Sequence, residues 1–450
     1  MRARAAVVML ALVCGAPAAR PAAAADFAVP ATLTLEAALA IGRQHQPDLR
    51  QARANTEAAE ARVDQARAGL LPQISAGASY SRTTTNPHAA QSAIANTGGM
   101  VTPIYTGEVR STFDNTGLFR SSVAASQLIY DFGRVSGQRD QARASADAQA
   151  KNEKTVALVS DLNVRTAFFT ASAARGAVDA AKEALANQNR HLEQIQAFVD
   201  LGRSPPIDLL QAKVDQANAD VDLIKAQNDY ATARAILNQA MGVESSIAYE
   251  VQQTISAPME GESLALEALV DQALAARPEI AALRDQQRAQ ELAIGATRAR
   301  YYPQLGVQAN GSYNGQDVAH LAWNLGATLN LSWLIYDGGN VSGVLREGAA
   351  ALASLAAQVD SIRLQVRVEV EQAQLAVTAA RALLGAADRS LSNARARLDL
   401  AEVRYRTGVG NGIELSDAQL ASTKAAFQKL QAQLQLDTAR AQLTKALART

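Results

Sequence analysis

From Trp323 onward, apolar and polar side chains alternate one for one. Trp323, Leu325, Ala327, Leu329, Leu331, Trp333 and Ile335 point one way, and Asn324, Gly326, Thr328, Asn330 and Ser332 the other. A period of two predicts a strand with one apolar face and one small, polar face. Fainter alternations run through Leu305, Val307, Ala309, Gly311 and Tyr313, through Ile74, Ala76, Ala78 and Tyr80, and through Phe119, Val123 and Ile129. Strands are therefore expected at about 73–85, 119–131, 304–314 and 322–336.

Between these strands the period changes to that of a helix. Val156, Val159, Leu162, Thr166, Phe169 and Ala173 recur every three or four residues, the spacing of a coiled-coil seam. Leu210, Val214, Ala217, Val221 and Ile224 repeat it, as do Leu420, Thr423, Phe427, Leu430 and Leu434. Arg134 to Leu201 contains no proline and only Gly137 and Gly176 as weak points. At ~1.5 Å per residue this is a helix of roughly 100 Å, too long for a compact domain to enclose.

The pattern is written twice. Pro47 and Pro72 return as Pro278 and Pro303, a shift of 231 residues. Leu128-Ile129-Tyr130-Asp131-Phe132-Gly133 returns as Leu334-Ile335-Tyr336-Asp337-Gly338-Gly339 at a shift of 206, which persists to Gly202/Gly408, Asp208/Glu414 and Ala212/Ala418. The drop of 25 residues lies between Pro72 and Tyr130, so a loop around Thr83 to Leu118, rich in Ser, Thr, Asn and Gly, is longer in the first copy. A duplication whose length change sits in one loop reads as two copies of one structural unit. The expected organisation is a first repeat over 26–242 with a helical hairpin at 134–242, a linker at 243–263, and a second repeat over 264–450 with a hairpin at 340–447. Each repeat runs helix, two strands, long helix, turn, returning helix. The first helices, about Thr34–Leu70 and Leu264–Tyr301, are interrupted at Pro47 and Pro278.

The start of the chain reads as an address. Arg2 and Arg4, an apolar stretch from Ala5 to Val13, and Ala23-Ala24-Ala25 before Asp26 form a signal peptide over 1–25. Lipidation at Cys14 is the rival reading, but Val13 precedes it where a small residue is wanted. Losing Arg2, Arg4 and Arg20 from 43 basic residues leaves 40 against 43 acidic ones. The mature chain is near neutral and free of cysteine, which excludes a disulfide framework, a thiol nucleophile and the basic excess of a nucleic-acid binder. No long uncharged apolar run follows, so a membrane would be entered by strands rather than by a helix. The strand faces fit lipid outside and water inside, with Trp323 and Trp333 at opposite interfaces. An amphipathic hairpin on a soluble core would give the same alternation; the ~100 Å helices decide between the two. Four membrane strands cannot close a barrel, and lipid does not tolerate an open edge, so several chains must share one barrel around a hollow axis.

In these residues the chain resembles the TolC-like outer-membrane efflux channels over essentially its whole mature length. The carriers are Gln46-Pro47-Asp48-Leu49-Arg50 and Arg277-Pro278-Glu279-Ile280, Leu71-Pro72-Gln73-Ile74 and Tyr302-Pro303-Gln304-Leu305, the paired Tyr-Asp segments, and Arg404-Tyr405-Arg406-Thr407-Gly408. The resemblance implies a mainly α protein with membrane β: a homotrimer with a 12-stranded barrel in the outer membrane of a Gram-negative cell and a coiled-coil tunnel in the periplasm. It implies a periplasmic adaptor and an inner-membrane transporter as partners, a passive role in efflux or type I secretion, no cofactor, and iris-like opening at the helical tip. It also implies a ring of acids past the second tip glycine, here Glu414 and Asp417, which share a helix face and would select cations. Acids at a helix start also complement its dipole, which alone would account for Asp208. The family's tip tyrosine is matched by Tyr405, with Asp208 as its partner, while the family's arginine is replaced by Gly410. Gly202, Arg203, Gly408 and Gly410 form the tip turns and the adaptor-docking surface.

Catalysis finds no support. His45, His88, His191 and His320 lack metal-ligand spacing, and no nucleophile elbow, phosphate loop or dinucleotide fingerprint is present. Glu369 and Glu371 read as solvated helix face. A soluble periplasmic coiled-coil protein is the stronger alternative, but Trp323 to Ile335 contradict it. Drugs, metal ions and secreted polypeptides all stay open as cargo, although 5 methionines and 4 histidines are few for a dedicated soft-metal exporter.

Overall fold

The computed structural model describes residues 31–85, 114–202, 204–244, 249–253, 257–259, 261–262, 264–316, 319–407 and 409–449. The expected signal peptide over 1–25 and most of the expected long first-copy loop lie outside these residues. The same order of elements occurs twice. A short strand β1 (Thr32–Leu33) leads to α1 (Leu35–His45), α2 (Pro47–Ala68), β2 (Gln73–Thr85), β3 (Asp114–Tyr130), α3 (Arg134–Asp200) and α4 (Pro206–Met241). A second short strand β4 (Glu250–Val251) leads to α5 (Leu266–Ala276), α6 (Pro278–Arg298), a single 3₁₀ turn (Ala299–Tyr301), β5 (Gln304–Gly315), β6 (Ala322–Ser332), α7 (Asn340–Arg406) and α8 (Gly412–Ala446).

Local chemistry sets the boundaries. Gln46 and Arg277 are extended, as a residue before proline prefers, and Pro47 and Pro278 then open α2 and α6. The repeated Tyr-Asp segment is a helix start. Asp131 accepts from Gly133 N at 3.1 Å and Val135 N at 2.8 Å, and Asp337 accepts from Gly339 N at 2.9 Å and Val341 N at 2.7 Å. Each carboxylate satisfies two donors where a strand hands over to a helix of 67 residues. The Val341 and Gly339 amides hold Asp337 below its usual carboxylate range.

The coiled-coil seams differ from the sequence expectation. Buried small residues at heptad spacing, alanine above all, mark the contacts within each hairpin. Ala212, Ala219, Ala226 and Ala233 on α4, and Ala418, Ala425, Ala432, Ala439 and Ala446 on α8, follow at strict seven-residue intervals. Val359, Val366, Ala373, Ala380 and Ala387 do the same on α7. A repeat of 3.5 residues per turn drives left-handed supercoiling, and small side chains let helices approach toward the ~8 Å limit. On α3, Phe169 is buried as the spacing predicts, but Val159 is exposed and the burial falls on Leu158, Val164, Phe168 and Ala171. Leu210, Val214, Val221 and Ile224 on α4 and Leu420 on α8 lie more than half exposed. A helix in a wall has a neighbour on each flank, and one chain supplies only some of them.

Two further differences concern the linker and Glu369. β4 pairs in parallel with β1, Thr32 opposite Glu250 and Leu33 opposite Val251, which straps the linker across the middle of the wall. Leu33, Tyr249 and Val251 join Phe168, Leu237 and Met241 in one apolar core; Leu269, Ile280, Val366, Val370 and Leu443 form the second-half counterpart. Glu369 is not a solvated acid: it pairs with the buried Arg277 at 2.5 Å and with Lys445 at 3.2 Å, whereas Glu371 is exposed.

Through the wall, neighbours run α2–α3–α6–α7 near the sheet and α4–α3–α8–α7 toward the tip. The four long strands form one antiparallel sheet in the order β2–β3–β5–β6. No helix among the described residues is long and apolar enough to cross a membrane.

Candidate functional site

The sheet sorts its side chains by face across all four strands. Trp323, Leu325, Ala327, Leu329 and Leu331 stand opposite Tyr313, Gly311, Ala309, Val307 and Leu305. The row continues to Ser121, Val123 and Ala125 and then to Ala78, Ala76 and Ile74. The other face carries Asn324, Thr328, Asn330, Ser312, Asn310, Gln308, Ser122, Ser126, Ser79 and Ser75. Because both faces are open in one chain, Leu325 and Leu329 are 75% and 69% exposed. A bulge between Leu128 and Tyr130 displaces Ile129 and sets Tyr130 opposite Leu305, on the apolar row.

Aromatic residues close both ends of this band. Tyr80 meets Phe119 at 4.5 Å between ring centroids at the far end, beside the Tyr313/Trp323 pair. Near the helices Tyr130, Phe132 and Tyr302 stack in sequence, each step 4.8 Å. β6 stops at Ser332, short of the expected 336, so Trp333 lies just beyond the strand, where its indole N–H donates to the Tyr301 carbonyl at 3.0 Å. Ten residues from Trp323 to Trp333 span ~33 Å along a strand, or ~25 Å of membrane at the usual tilt.

At the opposite pole lie the helical turns. Gly202 has φ +67°, and its N–H donates to Val199 O at 2.9 Å. Arg203 and Gly408 fall outside the described residues. In the second turn Val409 N and Gly410 N both donate to Arg404 O, at 3.0 and 2.9 Å, and Asn411 caps α8 by accepting from Glu414 N at 2.8 Å. A Cβ at position 410 would meet Arg404 Cβ and Tyr405 N, each at 3.1 Å. Glycine here lets the turn fold back closely on the end of α7.

Tyr405 sits between the two hairpins. Its ring faces His191 at 5.7 Å and Phe198 at 6.1 Å, both on α3. Burial and the negative charge of Asp208 raise its phenol above the usual value, opposed by a hydrogen bond with Ser204. Tyr405 and Asp208 are thus brought within electrostatic reach, with Ser204 as the direct partner that the sequence reading did not include. Gln188 Nε2 donates to Gln419 Oε1 at 3.2 Å and Ser416 Oγ to Asp215 Oδ2 at 3.5 Å, two further links between the hairpins. Glu414 is engaged within its own hairpin by Arg404, Nη2 to Oε2 3.5 Å, while Asp417 is exposed. Arg404 carried no sequence signal beyond the motif it belongs to.

A sheet with a lipid-type face and a water-type face, joined to a wall of ~100 Å helices, defines a membrane-anchored conduit subunit. The comparisons give it a family. The model for outer membrane efflux proteins matches residues 40–243 and 269–449, and the chain belongs to that family. It is similar to the cobalt-zinc-cadmium resistance protein CzcC of Cupriavidus metallidurans, 25% identical over 388 residues, 86% of this chain and 83% of the relative. It is also similar to protein CyaE of Bordetella pertussis, 27% identical over 400 residues, 86% and 78% of the two chains. Its fold matches the Campylobacter jejuni CmeC outer membrane channel with a TM-score of 0.76 at 16% identity, over 92% of this chain and 85% of that one. The protein is accordingly an outer-membrane channel that reaches into the periplasm.

Proposed function

We propose that three copies of this chain form one passive exit duct, fed by an inner-membrane transporter through a periplasmic adaptor, in efflux or type I secretion. The observation that carries the reading is that every tier of the wall ends with a first-half element on one side and a second-half element on the other. The sheet ends in β2 and β6, the upper wall in α2 and α7, the lower wall in α4 and α7. Both helical edges in the lower wall carry unspent apolar seams: Ile207, Leu210, Val214, Val221 and Ile224 on α4, and Leu364, Leu375 and Leu400 on α7, all more than half exposed. An edge of one kind facing an edge of the other is a head-to-tail interface, which closes as a ring when the rotation between copies divides a full turn. Three copies supply the even-numbered, 12-stranded closure that lipid demands.

The hairpin tips then surround the narrow end, and their separation is the iris-like opening. Glu414 and Asp417 from three copies put six carboxylates there. With Arg404 partly neutralising Glu414, Asp417 carries most of the cation preference. Gly202, Arg203, Gly408 and Gly410 present the adaptor-docking rim, and Tyr405 with Asp208 belongs to the latch.

Conductance in planar bilayers tests this, wild type against Glu414→Ala/Asp417→Ala. A cation-selective conductance that loses selectivity in the double variant supports both duct and aperture. Unchanged selectivity discards the acidic aperture, and a monodisperse species that never inserts overturns the duct.

A further inference from the structure

His191 is 7% exposed, on α3 close to the tip, and its Nδ1 has no hydrogen-bond partner among the described residues. A cavity of about 150 Å³ opens beside the ring, between the first hairpin and the second. Across it stand Glu402, Tyr405 and Arg406 of α7, with Arg190 on His191's own helix; α8 contributes only the neutral Leu415 and Gln419. From α4 the nearest influence is the carboxylate of Asp215. The imidazole therefore lies in the contact that joins the hairpins, edge-on to the Tyr405 ring, with Nδ1 buried and unpartnered among the described residues.

A buried, unpaired polar group is costly, and a charged one more so. The four ionisable neighbours other than Tyr405 are two cations and two anions, so they offer no net excess of negative charge. Burial outweighs the attraction of Asp215 and lowers the proton affinity of the ring below the usual histidine value. Parting of the hairpins would surround the protonated ring with water.

We propose that His191 is an acid-sensitive switch of the tip: neutral and enclosed when the hairpins are joined, protonated and hydrated when they separate. The inference rests on reading the tip as the gate, and it adds a trigger within this chain. The direction follows from linkage. The joined state binds the proton less well than the parted state, where the ring has its ordinary value near 6.5. Above that pH the two states are unaffected; as pH falls below it the parted state gains. At pH 5.5 the gain approaches about tenfold per copy in the limit where the joined state takes up no proton.

Hydrogen exchange of the detergent-solubilised protein, corrected for intrinsic rates, reports the tip without requiring conduction. Between pH 7.5 and 5.5 the segments around 185–200 and 400–420 should lose protection by up to about tenfold. His191→Gln and His191→Leu should remove that loss while keeping protection at pH 7.5. Planar-bilayer recordings of the same proteins should show wild-type open probability rising over the same interval and the variants staying flat. Equal protection at both pH values in the wild type, or an acid response that persists in both variants, overturns the switch. Variants already unprotected at pH 7.5 overturn it too, because His191 would then act only by filling space. A wild type whose exchange responds to acid but which never forms channels sinks the duct reading and leaves the switch standing.

Discussion

Replacing Gly242 by alanine should weaken the junction at which the first hairpin returns to the N-terminal helices. Gly242 ends α4 with φ +72° and ψ +30°, its N–H donating to Gln239 O while Val243 N reaches Asn238 O. That left-handed conformation costs a residue with a Cβ roughly 1–2 kcal/mol. The added Cβ would also lie 2.6 Å from His45 O and 2.9 Å from Gln46 Cα. These are backbone atoms at the α1–α2 junction that Pro47 stiffens, so no rotamer change relieves the clash. Overpacking of this kind costs about 1–3 kcal/mol, for a total of about 2–5 kcal/mol. The second half supplies the control. Ala448, 206 residues further on, sits at φ +52° in the same capping pattern, Ala448 N to Lys445 O and Arg449 N to Thr444 O. Alanine is already accepted there, so Ala448→Gly should stay within about 1 kcal/mol of the parent. Thermal unfolding followed by far-UV circular dichroism, at fixed protein and detergent concentration, should show G242A melting roughly 2–5 °C lower and A448G almost unmoved. If heating is irreversible, the unfolding rate at one temperature gives the same ranking. A G242A curve that superimposes on the wild type would refute the claim that the His45–Gln46 backbone cannot yield.

Three further outcomes are expected. Asp131→Ala removes the acceptor of two backbone donors at the start of α3 and should cost about 1–2 kcal/mol, read as a lower melting temperature. Arg277→Ala strips Glu369 of its main partner and leaves Ala446 O without the donor now 2.9 Å away; about 2–4 kcal/mol should be lost, and Arg277→Ala/Glu369→Ala should recover part of it. Leu329→Arg, in the middle of the apolar face of β6, should cost about 2–4 kcal/mol per copy and deplete the protein from outer-membrane fractions. Thr328→Arg, one residue away on the polar face, should assemble normally; equal depletion of both variants would reverse the assignment of faces.

Much of this architecture was legible in the chain because its signals are local and repeated. The alternation at Trp323–Leu331 and the prolines at 47 and 278 state a strand and two helix starts with little help from elsewhere. The seams were misread at Val159 and on α4 because the largest apolar residue is the natural guess for a buried position. In a wall built by two hairpins, alanine fills the close contacts and the large residues face flanks that the chain alone does not cover. Of the tip residues, Tyr405 and Asp208 were legible as a pair. Ser204 and the Arg404–Glu414 contact were not: the first depends on how two turns far apart in sequence lie against one another, the second on how the turn between α7 and α8 folds back.

Taken alone, the sequence determined the periods: a duplicated unit, membrane-type strands with an apolar and a polar face, and helices too long for a compact domain. Those properties are set within windows of a few residues to a few turns, where the spacing of side chains dictates which of them share a face. Only the tertiary structure decided what each face meets. It made Glu369 a partner of Arg277, tied the linker to the N-terminal segment through Leu33 and Val251, and enclosed His191 between the hairpins. Burial and ion pairing are properties of neighbours far apart in the chain, 92 residues for Arg277 and Glu369, and no local pattern encodes which neighbour arrives.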